Sequence, residues 1–131
     1  MSGPLVPASP AAPRIGVVVP CYRVAAQVLD VLAAMPACVT RVYCVDDACP
    51  EGSGDRIVAA CTDPRVTVLR HAHNRGVGAA VVTGYRAALA EDMQVVVKID
   101  GDGQMDPRLL PRFLRPLLAE EADYAKGNRF H

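Results

Sequence analysis

Asp100-Gly101-Asp102-Gly103-Gln104 closes the apolar run Val95-Val96-Val97-Lys98-Ile99. Two carboxylates one residue apart, followed by a neutral oxygen donor at Gln104, are the hard ligands that Mg²⁺ or Mn²⁺ prefers. Such an ion usually keeps water and substrate phosphates around it, so the stretch points to metal-assisted chemistry on a nucleotide-linked substrate. Asp-Gly pairs also make ordinary turns. Strand alternation favours the metal: if the extended chain continues, Lys98, Asp100 and Asp102 share one side, and two carboxylates held together repel unless a cation neutralises them. Lys98 then reads as an internal counter-charge, not a catalytic base.

Other residue groups could serve the same substrate. In Asp46-Asp47, one carboxylate is suited to accept hydrogen bonds from a nucleobase or a ribose hydroxyl. Asn74-Arg75-Gly76-x-Gly78 is similar to a Gly-rich phosphate loop at a helix start, where free amides and the helix dipole favour anions. It is not a dinucleotide fingerprint: Val81 stands at the third glycine position and the loop follows a third strand, which disfavours an NAD enzyme. Arg129, in Gly127-Asn128-Arg129, is a candidate for gripping a phosphate. His71 and His73 have no acid or thiol close by in sequence to complete a metal site and read as ordinary loop histidines.

These residues need a frame to bring them together. From Arg14 onward short β-branched runs alternate with helical patterns. Ile15 to Val19 is a strand stopped by Pro20, and Val42 to Val45 is a second strand. Val66, Val68 and Leu69 mark a third, and Val95 to Ile99 a fourth whose continuous apolar character suits a strand covered on both faces. Between them, Val24, Val28, Leu32 and Met35 share one helical face. Gly54 to Cys61 forms a short helix with Ile57, Val58 and Cys61 inward. An Ala-rich helix runs from Gly76 and Gly78 to about Ala90, its Ala79, Ala80, Gly84 and Ala88 allowing close approach to a sheet. After a turn from Pro107, Leu109, Leu110, Phe113, Leu114, Leu117 and Leu118 make an apolar stripe, with a helix expected to start near Pro111 and to kink at Pro116. Asp123 to Lys126 begins a fifth strand. This βαβ order predicts an α/β domain with a doubly wound, mostly parallel sheet, and such sheets bind ligands beyond the carboxyl ends of their strands. Cys21-Tyr22-Arg23, Asp46-Asp47, His71 to Arg75 and Asp100 to Gln104 all fall at those ends.

Composition narrows the function classes. The chain has 131 residues, with 14 basic and 14 acidic ones, so no bulk charge points to nucleic acid as a partner. The five cysteines include no Cys-x-x-Cys pair, which indicates neither zinc nor a disulfide framework and fits a reducing cytoplasm. No run reaches the ~20 apolar residues of a membrane span. Residues 1–13, rich in Pro, Ala and Ser, read as a disordered leader ahead of one domain over 14–131.

The set Val17-Val18-Val19-Pro20-x-Tyr22, Val45-Asp46-Asp47, Asn74-x-Gly76-x-Gly78-Ala79, Asp100-x-Asp102-Gly103-Gln104-x-Asp106-Pro107 and Gly127-Asn128-Arg129-Phe130 resembles the N-terminal half of family-2 glycosyltransferases of the GT-A fold. Within that family it is most similar to dolichol-phosphate mannose synthases and bacterial polyprenyl-phosphate glycosyltransferases. The resemblance implies inverting transfer of a sugar from a nucleoside-diphosphate donor to an acceptor such as a polyprenyl phosphate, at the cytosolic face of a membrane and in service of cell-envelope glycans. It implies that Pro20 and Tyr22 line the nucleobase pocket and that Asp47 hydrogen-bonds the base. Asp100, Asp102 and Gln104 would surround Mg²⁺ or Mn²⁺, and Asp102 and Arg129 would serve the reacting phosphates. The pattern departs at Arg23-Val24, where the family usually shows Asn-Glu, and after Asp47, where Ala-Cys-Pro-Glu-Gly-Ser replaces Gly-Ser-x-Asp-Gly. The acceptor-side half is missing from the pattern, so the chain is expected to carry the donor half only, with an incomplete sheet and membrane contact through a missing part or a partner subunit. The alternative reading is a nucleotide-binding or regulatory module without transfer activity.

Overall fold

The structure is a computed structural model and describes residues 13–119, with side chains through Arg115. Residues 1–12, the expected fifth strand and Arg129 lie outside the described residues. Four strands form one sheet: β1 (Ile15–Cys21), β2 (Arg41–Asp46), β3 (Val66–Arg70) and β4 (Val95–Lys98). They are parallel and ordered β3-β2-β1-β4. The chain thus steps outward from β1 to β3 and then crosses back to β4 on the other side of β1. This reversal opens a crevice at the carboxyl ends of β1 and β4.

The β-branched content of β1 and β2 drives them to the centre, where every residue of β1 is buried. Successive side chains alternate between two apolar layers. On one face Val17, Val19, Cys21, Val42 and Cys44 pack with Val28, Val31 and Leu32 of α1 (Val28–Ala33), Ile57 of α2 (Ser53–Ala60) and Leu110 and Leu114 of α4 (Leu110–Ala119). On the other face Val18, Tyr43 and Val45 meet Ala80 and Ala88 of α3 (Val77–Ala90) and Met93. The small residues of α3 let its backbone come down onto β1. A Cβ at Gly84 would lie 2.4 Å from Val18 Cγ1. The Tyr43 hydroxyl donates to Glu91 just past the end of α3 and ties that end to the sheet.

Several expectations change. β1 runs through Pro20, which pairs with Val45. The Val18 carbonyl accepts from Ile99, so even-numbered residues of β1 direct their polar groups towards β4. β4 ends at Lys98, opposite Val18, and the N–H that proline lacks has no ladder partner there to lose. β4 is alternately buried and half-buried, not covered on both faces, and is one of the two edge strands among the described residues. Val58 points outward, 65 % exposed, since so short a helix turns Ser53, Gly54 and Ile57 inward and leaves Ile57 as its one fully buried large apolar side chain. Ala79 is only half-buried, while Ala80, Gly84 and Ala88 take the sheet-facing positions. Leu109 and Phe113 are exposed, whereas Leu110 and Leu114 face the core. After a 3-10 turn at Pro107–Leu109, α4 begins at Leu110 and remains helical past Pro116.

Candidate functional site

Each sheet face sends one acid of the Asp46-Asp47 pair to a different helix. Adjacent residues at a strand end point to opposite faces. Asp46 turns towards α2, where its carboxylate accepts the Cys49 amide at 2.8 Å and the Gly54 amide at 3.1 Å. Arg70 Nη1 lies 3.6 Å from the same carboxylate. A Cβ on Gly54 would fall 2.4 Å from Asp46 Oδ2, so only glycine admits this approach. Asp46 therefore anchors a loop and the start of α2.

Asp47 turns to the other face and anchors α3. Its Oδ1 accepts the Arg75 amide and its Oδ2 the Gly76 amide, each at 2.8 Å. Gly76, with φ +95°, is the N-cap of α3, so the carboxylate just past β2 holds the two amides that lead into the helix. His71 Nδ1 lies 2.7 Å from Asp47 Oδ1, and His71 Nε2 lies 2.8 Å from Thr83 Oγ1 on α3. Burial alone would raise the Asp47 carboxyl. The hydrogen bonds from His71 and the two amides outweigh it and hold the carboxyl below the usual carboxylate range. Asn74 Nδ2 donates to the Asp47 carbonyl at 3.2 Å.

This corrects two sequence readings. The Arg75 and Gly76 amides of the Gly-rich loop face a carboxylate of the protein itself, so of the amides at this helix start only those from Val77 onward are left to meet an anion. His71 is not an ordinary loop histidine: its side chain is 5 % exposed and buried against Asp47, while His73 is exposed. The available signal was position, since His71 directly follows β3 at the sheet edge where the other polar residues gather.

Asp47 forms part of the floor of a hollow of about 320 Å³ at the crevice between β1 and β4, within the size range of small-molecule sites. Pro20 and Tyr22 from the end of β1, Asn74 and Gly76 from the start of α3, and Asp100 and Asp102 from the turn after β4 also line it. Tyr22 is 40 % exposed and carries the Arg23 guanidinium 5.3 Å from its ring centre. Asp46 and Gln104 are not among the lining residues.

Beyond β4 the chain turns, with Gly103 at φ +82°, so strand alternation does not extend to Asp102. Both acids still reach the hollow. Lys98 Nζ lies 3.3 Å from Asp100 Oδ1, and Asp102 Oδ1 accepts the Gln104 amide at 3.0 Å. Among the described residues no three His, Cys, Asp or Glu side chains gather as a metal-binding group. Two solvent-facing carboxylates nevertheless fit a Mg²⁺ or Mn²⁺ ion that draws its remaining ligands from water and a diphosphate.

Beside Asp46, whose carboxylate accepts the Cys49 amide, the two departures from the resemblance meet. Arg23 and Ala48 both have left-handed backbones, φ 59° and 57°, and the Arg23 amide donates to Cys49 Sγ at 3.0 Å. Cys49 Sγ is 3.1 Å from Ser53 Oγ. Burial raises the Cys49 thiol, but the Ser53 hydroxyl and the Arg23, Ser53 and Glu51 amides reverse this and lower it.

The model of the family described as "Glycosyl transferase family 2" matches residues 16–131. The chain belongs to that family. An undecaprenyl-phosphate mannosyltransferase of Micrococcus luteus is 39 % identical over 89 residues, 67 % of this chain and 36 % of its own length. A UDP-N-acetylglucosamine–dolichyl-phosphate N-acetylglucosaminyltransferase of Methanococcus voltae is 31 % identical over 65 residues, 50 % of this chain and 26 % of its own length. The mannosyltransferase PcManGT of Pyrobaculum calidifontis, solved with GDP-Man and Mn²⁺, superposes with TM-score 0.65 at 25 % identity over 82 % of this chain and 33 % of its own. TarS of S. aureus in complex with UDP shares the fold, with TM-score 0.63 at 19 % identity over 79 % of this chain and 32 % of its own. The fold is GT-A, and the chain spans about a third of the relatives it matches. No described helix is long and apolar enough to cross a membrane.

Proposed function

We propose that this chain is the donor-binding part of an inverting glycosyltransferase that moves a sugar from a nucleoside diphosphate to a polyprenyl phosphate. The observation that carries the reading is the convergence of Pro20, Tyr22, Asp47, Asn74, Asp100 and Asp102 on one hollow at the switch point of the sheet. The family membership, and relatives whose names specify undecaprenyl and dolichyl phosphates, support the acceptor class.

In this reading the nucleoside lies on Pro20 and Tyr22 with a base N–H directed to Asp47, and the diphosphate extends towards Asp100 and Asp102. Asp100 and Asp102, with Gln104 as a further oxygen donor, would hold a divalent ion, which would supply Lewis-acid stabilisation of the charge on the leaving diphosphate. The acceptor oxygen attacks the anomeric carbon from the face opposite the diphosphate. One carbon–oxygen bond forms as the other breaks, the configuration inverts, and the nucleoside diphosphate leaves. A phosphate acceptor is already anionic near neutral pH, so no general base is required for that attack. Arg129 would hold the phosphates. The reaction would take place at the cytosolic face of a membrane, on glycan precursors of the cell envelope.

Calorimetric titration of UDP and GDP, with and without Mn²⁺, tests this reading. Metal should tighten binding of one of them, and Asp102→Ala should abolish the tightening while keeping the metal-free affinity. Nucleotide binding indifferent to metal would favour a non-catalytic nucleotide-binding module instead.

A further inference from the structure

The buried contacts around Asp47 extend past the hollow. An ionised carboxylate offers roughly four acceptor positions. Two on Oδ1 are taken, by His71 and by the Arg75 amide, and one on Oδ2 is taken by the Gly76 amide. What remains is one position on Oδ2, on a side chain that lines the hollow. The orientation of that position depends on the plane of the carboxyl group, which the Arg75 and Gly76 amides hold only from the loop before α3.

His71 adds a hold from the sheet. It follows β3, and its backbone amide donates to the Asp46 carbonyl at 2.9 Å, so the ring is based on the sheet itself. Nδ1 faces Asp47 and Nε2 faces the Thr83 hydroxyl, so both ring nitrogens are engaged and the ring plane is fixed. Thr83 sits in the middle of α3, one residue before Gly84, where the helix is pressed on β1. The chain of contacts runs from the sheet through His71 to the helix and back to Asp47. His71 and Thr83 are not among the residues lining the hollow.

We propose that His71, backed by Thr83, is a positioning residue that holds the Asp47 carboxylate with its one unused acceptor position towards the bound nucleoside. This inference rests on the reading of Asp47 as the base-binding acid. It predicts that the nucleoside end of the site depends on two side chains that never touch the ligand, while the diphosphate end does not.

Titration of UDP, GDP and inorganic pyrophosphate with Mg²⁺, on wild type and four variants, tests it. His71→Ala and Thr83→Val should each weaken the nucleoside diphosphate, His71→Ala by about tenfold or more, the loss expected when a hydrogen bond to a charged group goes. Pyrophosphate affinity should stay within about twofold in both, since one lost neutral contact costs more than that. His71→Asn, whose amide can still donate from the Nδ1 position, and Thr83→Ser should recover most of the affinity. Amide hydrogen exchange supplies a readout without ligand: in His71→Ala the Arg75 and Gly76 amides should exchange faster while the β1 and β2 amides remain protected. Thr83→Val, nearly isosteric, keeps the test usable should His71→Ala fail to fold. Wild-type nucleotide affinity in His71→Ala and Thr83→Val overturns the positioning role alone. An equal loss for pyrophosphate overturns it too, because it marks general loosening. Wild-type protein that binds neither UDP nor GDP overturns the nucleotide reading itself.

Discussion

Gly84→Ala tests whether the contact between α3 and β1 is as tight as the structure shows. The added methyl carbon would lie 2.4 Å, 2.9 Å and 3.1 Å from the three branch carbons of Val18. Carbon atoms pack favourably at ~3.5–4.0 Å, so the helix must retreat by about 1 Å or Val18 must move. Val18 is fully buried at the centre of β1, and a β-branched side chain there has few alternative rotamers. Overpacking of this kind costs ~1–3 kcal/mol, and the rigid partner puts it at the upper end. Replacing a mid-helix glycine by alanine returns about 1 kcal/mol of helix propensity. The net expectation is a loss of about 2 kcal/mol, the difference of those two effects.

Urea unfolding followed by far-UV circular dichroism measures this directly, since the chain has no tryptophan to report by fluorescence. The midpoint should fall at unchanged slope. Gly78→Ala is the matched control: nothing lies within 4 Å of its added carbon, so helix propensity acts alone and the variant should be as stable as wild type or more so. Val18→Ala combined with Gly84→Ala should show a favourable coupling of at least ~1 kcal/mol, because truncating Val18 removes the clash. Gly84→Ala with wild-type or higher stability would refute the reasoning, for the propensity gain would then exceed any steric cost.

Acid stability and the loop after β2 give two further predictions. Hydrogen bonds hold the Asp47 carboxyl below its usual range, so its stabilisation is complete above the unfolded pKa of about 3.9 and disappears as pH falls through the lower folded value. Asp47→Asn should lower stability near neutral pH by ~1–3 kcal/mol and flatten the acid limb of stability against pH, measured by urea unfolding at stepped pH. Some slope should remain from Asp63, which Arg65 holds below its usual range; an acid limb unchanged in Asp47→Asn would contradict the argument. Ala48→Gly relieves a left-handed backbone that costs an L-residue ~1–2 kcal/mol, against ~0.5–1 kcal/mol of lost chain entropy. It should therefore be neutral to stabilising by up to ~1.5 kcal/mol, and a clear drop in melting temperature would show that the Ala48 methyl makes a contact worth more than the strain.

The sheet was legible because its strands are written in β-branched residues, and a valine run has few places to go other than a buried strand. The limits of that legibility are physical. Pro20 reads as a strand terminator until the register is known, since its missing N–H matters only if a partner stands opposite. Val58 reads as inward because periodicity does not tell how few positions of a short helix reach the sheet. The pair Asp46-Asp47 was visible as polar residues at a strand end, and alternation guarantees that they diverge. Which of them faces the crevice depends on which face α3 covers, and that is a property of the crossover, not of the local sequence. His71 has no partner nearby in sequence, and its partner Asp47 is 24 positions away, just past the end of the neighbouring strand.

These geometries divide the hollow into two unlike walls. At one, Asp47 is buried and its carboxylate is held ionised by loop and histidine contacts from the protein itself. At the other, Asp100 is half-exposed, Asp102 is exposed, and both sit on a glycine-flanked turn. On the proposed reading the first wall grips the nucleoside and the second the diphosphate with its ion. A preorganised wall loses little conformational entropy when it binds, whereas an exposed turn must be ordered by the ion and phosphates together. Nucleoside affinity should then persist without metal while diphosphate affinity requires it. This asymmetry is why Asp102→Ala and His71→Ala are expected to fail in different titrations instead of weakening the same one.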